Sequence, residues 1–412
     1  MLNLKNDLIP VLLGADLNCY SVARAFFEEY GVVSHAFGKY AIGATSHSKI
    51  VSFYPVANLD NTEICIKALR DFADSHEDKI LILMGCTDEY AEFIIDNKSR
   101  LEDKYIIPYI DTELKSHLVD KASFYEICEK YEIPYPKTYV ASSAEKKDAL
   151  TEEKLGFAYP IVIKPSSSIE YWKHPFENMK KVYFSNSPEE SEEILSKIYA
   201  SGYDRKVILQ DTIPGGDSDM RVLTIYSDRN AEPKMLCLGH VLLEEHTPKG
   251  RGNHAAIITE KAPEICEKIK NMLKELKYIG FANFDIKYDR RDGIFKVFEI
   301  NLRQGRSNHY VTASGINIAK LVIDDRVLNE DMPYIEQDKE FFWHCVPKKI
   351  VYAYTEDGEA VERCKKLSKE KKEGRPFFFS YDLKLNPVRT AFVLENMRRQ
   401  FKKYSMYCEK MR

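Results

Sequence analysis

The stretch that most restricts the fold is Gly280 to Ser307, GFANFDIKYDRRDGIFKVFEINLRQGRS. Two runs of alternating apolar and polar residues flank an Arg-Arg-Asp-Gly turn, and this spacing predicts a β-hairpin. Successive strand residues point to opposite faces. Asn283, Asp285 and Lys287 therefore share the polar face of the first run, and Glu299, Asn301 and Arg303 that of the second. Two carboxylates and an amide oxygen (Asp285, Glu299, Asn301) are hard donors. They suit Mg²⁺, which uses few side chains and keeps positions for water and phosphate. Arg303 and Arg306 add planar forks that match carboxylate or phosphate oxygens. A surface hairpin with solvated charges is the bland reading. Against it, Asn301 and Arg303 continue the alternation directly from Glu299, and the polar turn Gln304 to Ser307 follows where a strand stops at a ligand.

A chain of 412 residues has room for two or three domains. With 44% hydrophobic and 30% charged residues it is an ordinary globular chain, and a net charge of -4 gives no reason to expect nucleic-acid binding. Nine cysteines without a CxxC pair argue for a reducing, cytoplasmic setting and against a disulfide framework or zinc site. The apolar run Leu8 to Ala15 reads as a buried strand, and no segment reaches the length of a membrane span.

In chain order, Ile9 to Leu13, the turn Gly14 to Asn18 and a helical stretch from Ser21 to Tyr30 open an α/β unit. Lys79 to Met84 is a second buried strand, followed by a helix to Ile95 capped by Thr87 or Asp88; Ile106 to Ile110 is a third, short strand. The first turn lacks the GxGxxG spacing of a dinucleotide site. Lys121 falls in the first turn of a helix from Asp120 to Tyr131, where a cation opposes the helix dipole; either it is solvated or it meets a phosphate. Lys164 ends the strand Tyr159 to Pro165 at the mouth of the loop Ser166-Ser167-Ser168, whose hydroxyls and amides could join its ammonium around phosphate oxygens. Glu189 to Tyr199 is a helix and Lys206 to Asp211 a buried strand, with a hinge-like turn from Thr212 to Gly216. Asp217, Asp219 and Arg221 open the next strand.

Lys234 to Leu243 forms a further strand, and Glu244 to His254 a polar, mobile loop whose Lys249, Arg251 and His254 either close on an anion or stay solvated. Helices follow over 262–277 and 314–325. From Arg389 to Arg412 there are seven basic residues (Arg389, Arg398, Arg399, Lys402, Lys403, Lys410, Arg412) against two acidic ones. Phe392, Val393, Met397, Phe401 and Tyr404 recur there near helical spacing. This basic amphipathic helix either lies on an anionic membrane surface or docks on the body with its basic face in water.

The order of these parts resembles the ATP-grasp ligases. LLGADLN, DKASFYEICEKYEIPYPKT, KPSSSIEY, QDTIPGGDSDMRVL, CLGHVLLEEHTP, GFANFDIKYD and FEINLRQGRS are similar, more narrowly, to the D-aspartate ligases of Gram-positive peptidoglycan synthesis. The resemblance implies α/β and α+β architecture. Residues 1–115 would form a Rossmann-like pre-ATP-grasp domain, 116–205 and 206–330 the two ATP-grasp lobes (the second with the metal site), and 331–412 a C-terminal region with the basic tail. It also implies that Lys121, Lys164 and the loop Ser166, Ser167 and Ser168 contact ATP phosphates. Gln210, Asp211, Thr212 and Ile213 would receive adenine, with Asp217 beyond them. Mg²⁺ would sit on Asp285, Glu299 and Asn301. Arg303 would stabilise the transferred phosphoryl group, while Arg221 and Arg306 grip substrate oxygens. The serines depart from the glycines that many family members carry in that loop. The implied substrates are ATP, D-aspartate and the lysine amine of a UDP-linked muramyl pentapeptide; the alternatives are an ATP-grasp ligase for a different amino acid or amine acceptor, or an ATP-binding regulator without turnover. The implied setting is cytoplasmic, with peripheral membrane contact through the tail as one option.

Overall fold

The computed structural model describes residues 3–248 and 250–409. Lys249, Lys410 and Arg412 lie outside the described residues, as does the side chain of Ser168. The chain divides into two compact units. The first comprises Met1–Thr112, Gly216–Phe284 and Asn301–Arg412; the second comprises Glu113–Gly215 and Asp285–Ile300.

The first unit opens with a parallel sheet of β1 (Leu8–Leu13), β2 (Ser34–Gly38), β3 (Val51–Pro55) and β4 (Ile80–Gly85), in the order β3-β2-β1-β4. β1 is buried along nearly its whole length because it pairs on both sides, with Leu12 opposite Ala36 and Met84. The helix after it, Leu17–Tyr30, begins ahead of the expected Ser21 because Asp16 caps it, accepting a hydrogen bond from the Cys19 amide at 3.1 Å. Thr87 caps the helix Asp88–Asp96. The strand expected over Ile106 to Ile110 does not form: Ile106 makes a single bridge to Ile82 and pairing stops before Pro108, which has no N–H to donate.

The second unit holds an antiparallel sheet of β5 (Thr138–Ala141), β6 (Ile161–Pro165), β7 (Tyr183–Ser185) and β8 (Val207–Asp211), in the order β5-β8-β6-β7. Leu195 and Ile198 of the helix Pro188–Ala200 pack against Ile161, Ile163 and Leu209.

A larger sheet is built from β9 (Met220–Ser227), β10 (Pro233–Glu244), β11 (His254–Glu260), β12 (Gly280–Asp289), β13 (Ile294–Asn301), β14 (Ile335–Gln337), β15 (Phe342–His344) and β16 (Glu373–Gly374). Its order is β13-β12-β9-β10-β11-β15-β16, with β14 beside β10. β12 and β13 are the hairpin read from the sequence, turning at 290–293. Gly280 starts β12 with a φ of +85°, and a Cβ there would meet the Pro108 carbonyl oxygen at 2.1 Å, so only glycine fits.

Three expectations are corrected here. Glu244 and His254 are paired strand residues of β10 and β11, which narrows the loop to 245–253. The helix expected over 314–325 begins only at Ile318 (Ile318–Arg326), because Gly315, at a φ of +116°, follows the end of a separate short helix, His309–Ala313. In the C-terminal helix Pro387–Tyr407, Val393, Met397 and Tyr404 are buried in the first unit, so much of the apolar stripe is used in docking. Arg389 does not belong to the solvated basic face. It is fully buried, bonds Asp382 at 3.0 Å and donates to the carbonyls of Gly43, Ala44 and Ser46. Arg389→Met strands the buried Asp382 carboxylate, and urea denaturation is expected to show a loss of about 3–5 kcal/mol. The same change at the exposed Arg398 should leave the midpoint where it was.

Candidate active site

In the second unit, strand and helix ends bring Lys121, Lys164 and Glu299 together. Asp120 caps the helix Lys121–Lys130, which puts Lys121 at its first position. The Lys121 Nζ reaches the Glu299 carboxylate at 3.0 Å. Lys164, next to last in β6, donates to the Tyr125 hydroxyl at 3.3 Å and lies 5.9 Å from the ring centres of Tyr125 and Phe298. Tyr125 in turn donates to the Phe298 carbonyl at 2.9 Å, which ties the helix to β13.

The electrostatics follow from this packing. Burial holds the Lys164 ammonium down to about 7, and the charge of Lys121 pushes the same way against the pull of Glu299. Lys121 holds the Glu299 carboxyl well below the ordinary carboxylate range, with Lys164 and Lys181 adding to the effect. Lys121 and Lys181 near one carboxylate, with Lys164 able to take up a proton beside them, leave a site suited to a polyanion. Ser166 Oγ is buried without a hydrogen-bond partner, and Ser167 caps the short helix after the loop. Asp285 belongs to the same unit through β12.

The expected adenine strip runs along the end of β8. Gln210 is buried and donates to Thr138 Oγ1 at 2.8 Å, while Thr212 Oγ1 is buried without a partner. The Ile213 carbonyl accepts from Lys287 at 3.0 Å. Asp211 is occupied: Arg291 grips it at 3.1 and 2.6 Å and also binds Asp289.

The first unit carries the remaining residues. Asn301 donates to the Asn283 carbonyl at 3.3 Å. Arg303 forms an ion pair with Asp88 at 2.9 Å and donates to the Gln304 carbonyl at 3.0 Å. The loop that bears it is pinned to the carboxyl ends of β1 and β4 by buried amides. Asn18 donates to the Cys86 and Gln304 carbonyls at 2.9 and 3.1 Å, Gln304 to the Gly85 carbonyl at 3.0 Å, and Asn308 to Asn18 Oδ1 at 2.7 Å. β1 lies between β2 and β4, so this is where the strand order reverses, a position where open α/β sheets bind ligands.

Arg306 lines a cavity of about 450 Å³ in this unit. Arg221 is held by Glu260 and by the carbonyls of Ser218 and Met220. Asp217 pairs with His246 at 2.8 Å and accepts from the Glu244 amide.

Tyr125, Lys181 and the amide cluster were not singled out from the sequence, and Asp88 was read only as a candidate helix cap. Asn18 and Gln304 are far apart in the chain and neither belongs to a local motif. Among the described residues no three His, Cys, Asp or Glu side chains group closely enough to hold a metal alone. A cation here would rest on few protein ligands plus the oxygens of a bound polyanion, which is how Mg²⁺ is commonly held.

The chain is 40% identical over 409 residues to a D-aspartate ligase of Enterococcus faecium (strain Aus0004), covering 97% of this chain and 97% of that protein. No family model matches it. Among solved structures, an L-amino acid ligase from Bacillus licheniformis is 15% identical, with a TM-score of 0.54 over 78% of this chain and 74% of that one. The biotin carboxylase domain of Hydrogenobacter thermophilus 2-oxoglutarate carboxylase, in complex with the magnesium salt of ADP and with bicarbonate, is 14% identical. It has a TM-score of 0.58 over 80% of this chain and 71% of that one. These structures share the ATP-grasp fold, and it is the fold of this chain.

Proposed function

Because this chain belongs to the D-aspartate ligase family, we propose that it uses ATP to join the side-chain carboxylate of D-aspartate to the lysine ε-amine of a UDP-linked muramyl pentapeptide. The observation that carries the ATP part is the cluster of Lys121, Lys164 and Glu299, a desolvated cationic pocket with one carboxylate held ionised. The D-aspartate part rests on the relative. The reaction belongs to the cytoplasm, where ATP and nucleotide-linked precursors are available. No helix among the described residues is long and apolar enough to cross a membrane.

In this reading Lys121 and Lys164 bind the phosphates, with the Ser166–Ser168 loop beside them. Gln210, Thr212 and Ile213 border the adenine, and Asp217 lies further along the chain. Asp285, Glu299 and Asn301 would hold Mg²⁺ through two carboxylates and one amide oxygen, Asp285 on β12 and Glu299 and Asn301 two apart on β13. When bound, the metal supplies charge that offsets phosphate repulsion. The D-aspartate side-chain carboxylate attacks the γ-phosphorus, the bond to ADP breaks, and an aspartyl phosphate forms. The lysine amine then attacks its carbonyl carbon, phosphate leaves, and the amine gives up a proton as the amide forms. Arg303 meets the charge that develops on the transferred group, and positioning supplies much of the remaining rate.

The direct test is ADP release across D- and L-amino acids with the muramyl peptide acceptor, with mass detection of product. A product heavier by one aspartyl residue is expected, formed with D-aspartate only. Turnover with another amino acid, and none with D-aspartate, would overturn the donor assignment.

The depressed Lys164 gives a pH prediction. Near pH 8 this lysine is largely neutral in the free protein, and phosphates favour its ammonium form. Nucleotide binding should therefore take up a proton at pH 8, visible in titration calorimetry as heats that change with the ionisation enthalpy of the buffer. Lys164→Met should remove that dependence, and heats independent of buffer in the unmodified protein would contradict it. For stability the sign is the reverse of a salt bridge. The unfolded lysine holds its proton up to about pH 10.4 and the folded one only to about 7. The penalty is complete below pH 7 and fades as pH rises between these values.

A further inference from the structure

A cavity in the first unit is lined by residues of that unit alone. Its volume of about 450 Å³ falls in the range of sites that enclose drug-sized ligands, more room than a four-carbon amino acid fills. Arg306 supplies one wall, and Phe392, Asn396, Arg399, Gln400 and Lys403 of the C-terminal helix supply another.

The carboxylates at the cavity are already engaged. Glu245 accepts from Thr247 at 2.8 Å and from Lys403 at 3.3 Å. Glu395 is bound by Arg398 and Arg399 at 2.6 and 2.9 Å. Asp16 caps the Leu17–Tyr30 helix, and His254 is neutral at pH 7 because burial and the nearby Arg306 hold it down to about 4. Arg306 is different. Among the described residues it makes no hydrogen bond or ion pair, although it is partly buried, and the Asp16 and Glu245 carboxylates feel its charge without bonding it. A guanidinium left in this state at a cavity wall is a receptor for an oxyanion. The amides and the phenyl ring beside it suit a peptide, which offers amide groups and apolar side chains together.

We infer that this cavity is the binding site of the amine acceptor, with Arg306 on one of its oxyanions and the C-terminal helix as a substrate-binding wall. The inference rests on the ligase reading above and extends it, because the cavity side of this helix then contributes to acceptor recognition. The oxyanion is either a peptide carboxylate or the diphosphate of the linked nucleotide.

Arg306→Gln and the double variant Asn396→Ala/Gln400→Ala test it. The first half-reaction is followed with hydroxylamine in place of the acceptor, trapping activated D-aspartate as its hydroxamate. The full reaction is followed at varied nucleotide-linked muramyl peptide. Both variants should raise the acceptor KM about tenfold or more, and the double variant should keep hydroxamate formation within about twofold of the unmodified protein. An unchanged acceptor KM in both, or hydroxamate formation falling in step with it in the double variant, would overturn the inference. Calorimetric titration of the linked peptide against the unmodified protein and Arg306→Gln reads the same site without turnover. If no hydroxamate forms in the unmodified protein but peptide binding still depends on Arg306, the donor reading fails and this one stands. If binding does not depend on Arg306, this one fails. Repeating the titration with the lysine peptide alone identifies the anion. An Arg306 effect that persists assigns the carboxylate, and one that needs the nucleotide assigns the diphosphate.

Discussion

Glu299→Gln is expected to lower turnover by about 10²–10³-fold while the protein remains folded. The exchange keeps size and hydrogen-bonding reach but removes the charge that Lys121 holds ionised at 3.0 Å. Two effects combine. The site loses a charged ligand for the proposed Mg²⁺, and Lys121 and Lys164 lose the carboxylate between them that offsets their repulsion. The Mg²⁺ concentration for half-maximal rate should therefore rise together with the fall in turnover. Nucleotide affinity measured without metal should fall little, because a negative charge beside the phosphates has been removed. Steady-state rates over a Mg²⁺ series, with circular dichroism to establish folding, check this. Turnover near normal with an unaltered Mg²⁺ requirement would sink the role of Glu299 as a metal ligand.

Arg303→Met is the second large effect, a fall of about 10²–10³-fold in kcat with a much smaller change in the KM for ATP. A group that meets charge only as the phosphoryl moves contributes to the transition state more than to the ground state, so kcat carries the loss. Stability should change little. The partner of Arg303 in the first unit is Asp88, whose side chain is 53% exposed and is solvated when the guanidinium goes. Asp88→Asn is the control: it breaks the same ion pair and leaves Arg303 in place, so a kcat within a few fold is expected. Equal losses in the two variants would show that the ion pair holds the loop and that Arg303 has no direct part in phosphoryl transfer.

Much of this site was legible from the alternation in one hairpin. Period two is a local property, so the shared polar face of Glu299, Asn301 and Arg303 needs no knowledge of the rest of the chain. The turn at 290–293 was equally local. β2 and β3 were harder to see. SHAFG and VSFYP contain no long branched apolar run, and they are strands because β1 offers an edge to β2 and β2 offers one to β3. The late start of the helix expected at Ser314 turns on Gly315, whose backbone takes a conformation outside the helix. The tail was misread at one residue. Arg389 looks like its basic neighbours in sequence, and only its burial against Asp382 distinguishes it.

By itself, then, the sequence determined the α/β opening and the polar ribbon, because periodicity is written in neighbouring residues, and its motifs carried the resemblance that implied the ATP-grasp fold. The tertiary structure alone decided three things. It paired Lys121 with Glu299, seated the Arg303 loop on Asn18, and left Arg306 lining a cavity with no carboxylate bonded to it. Each depends on residues distant in the chain. The strength of a charge interaction is set by distance and desolvation in space, which no local pattern encodes.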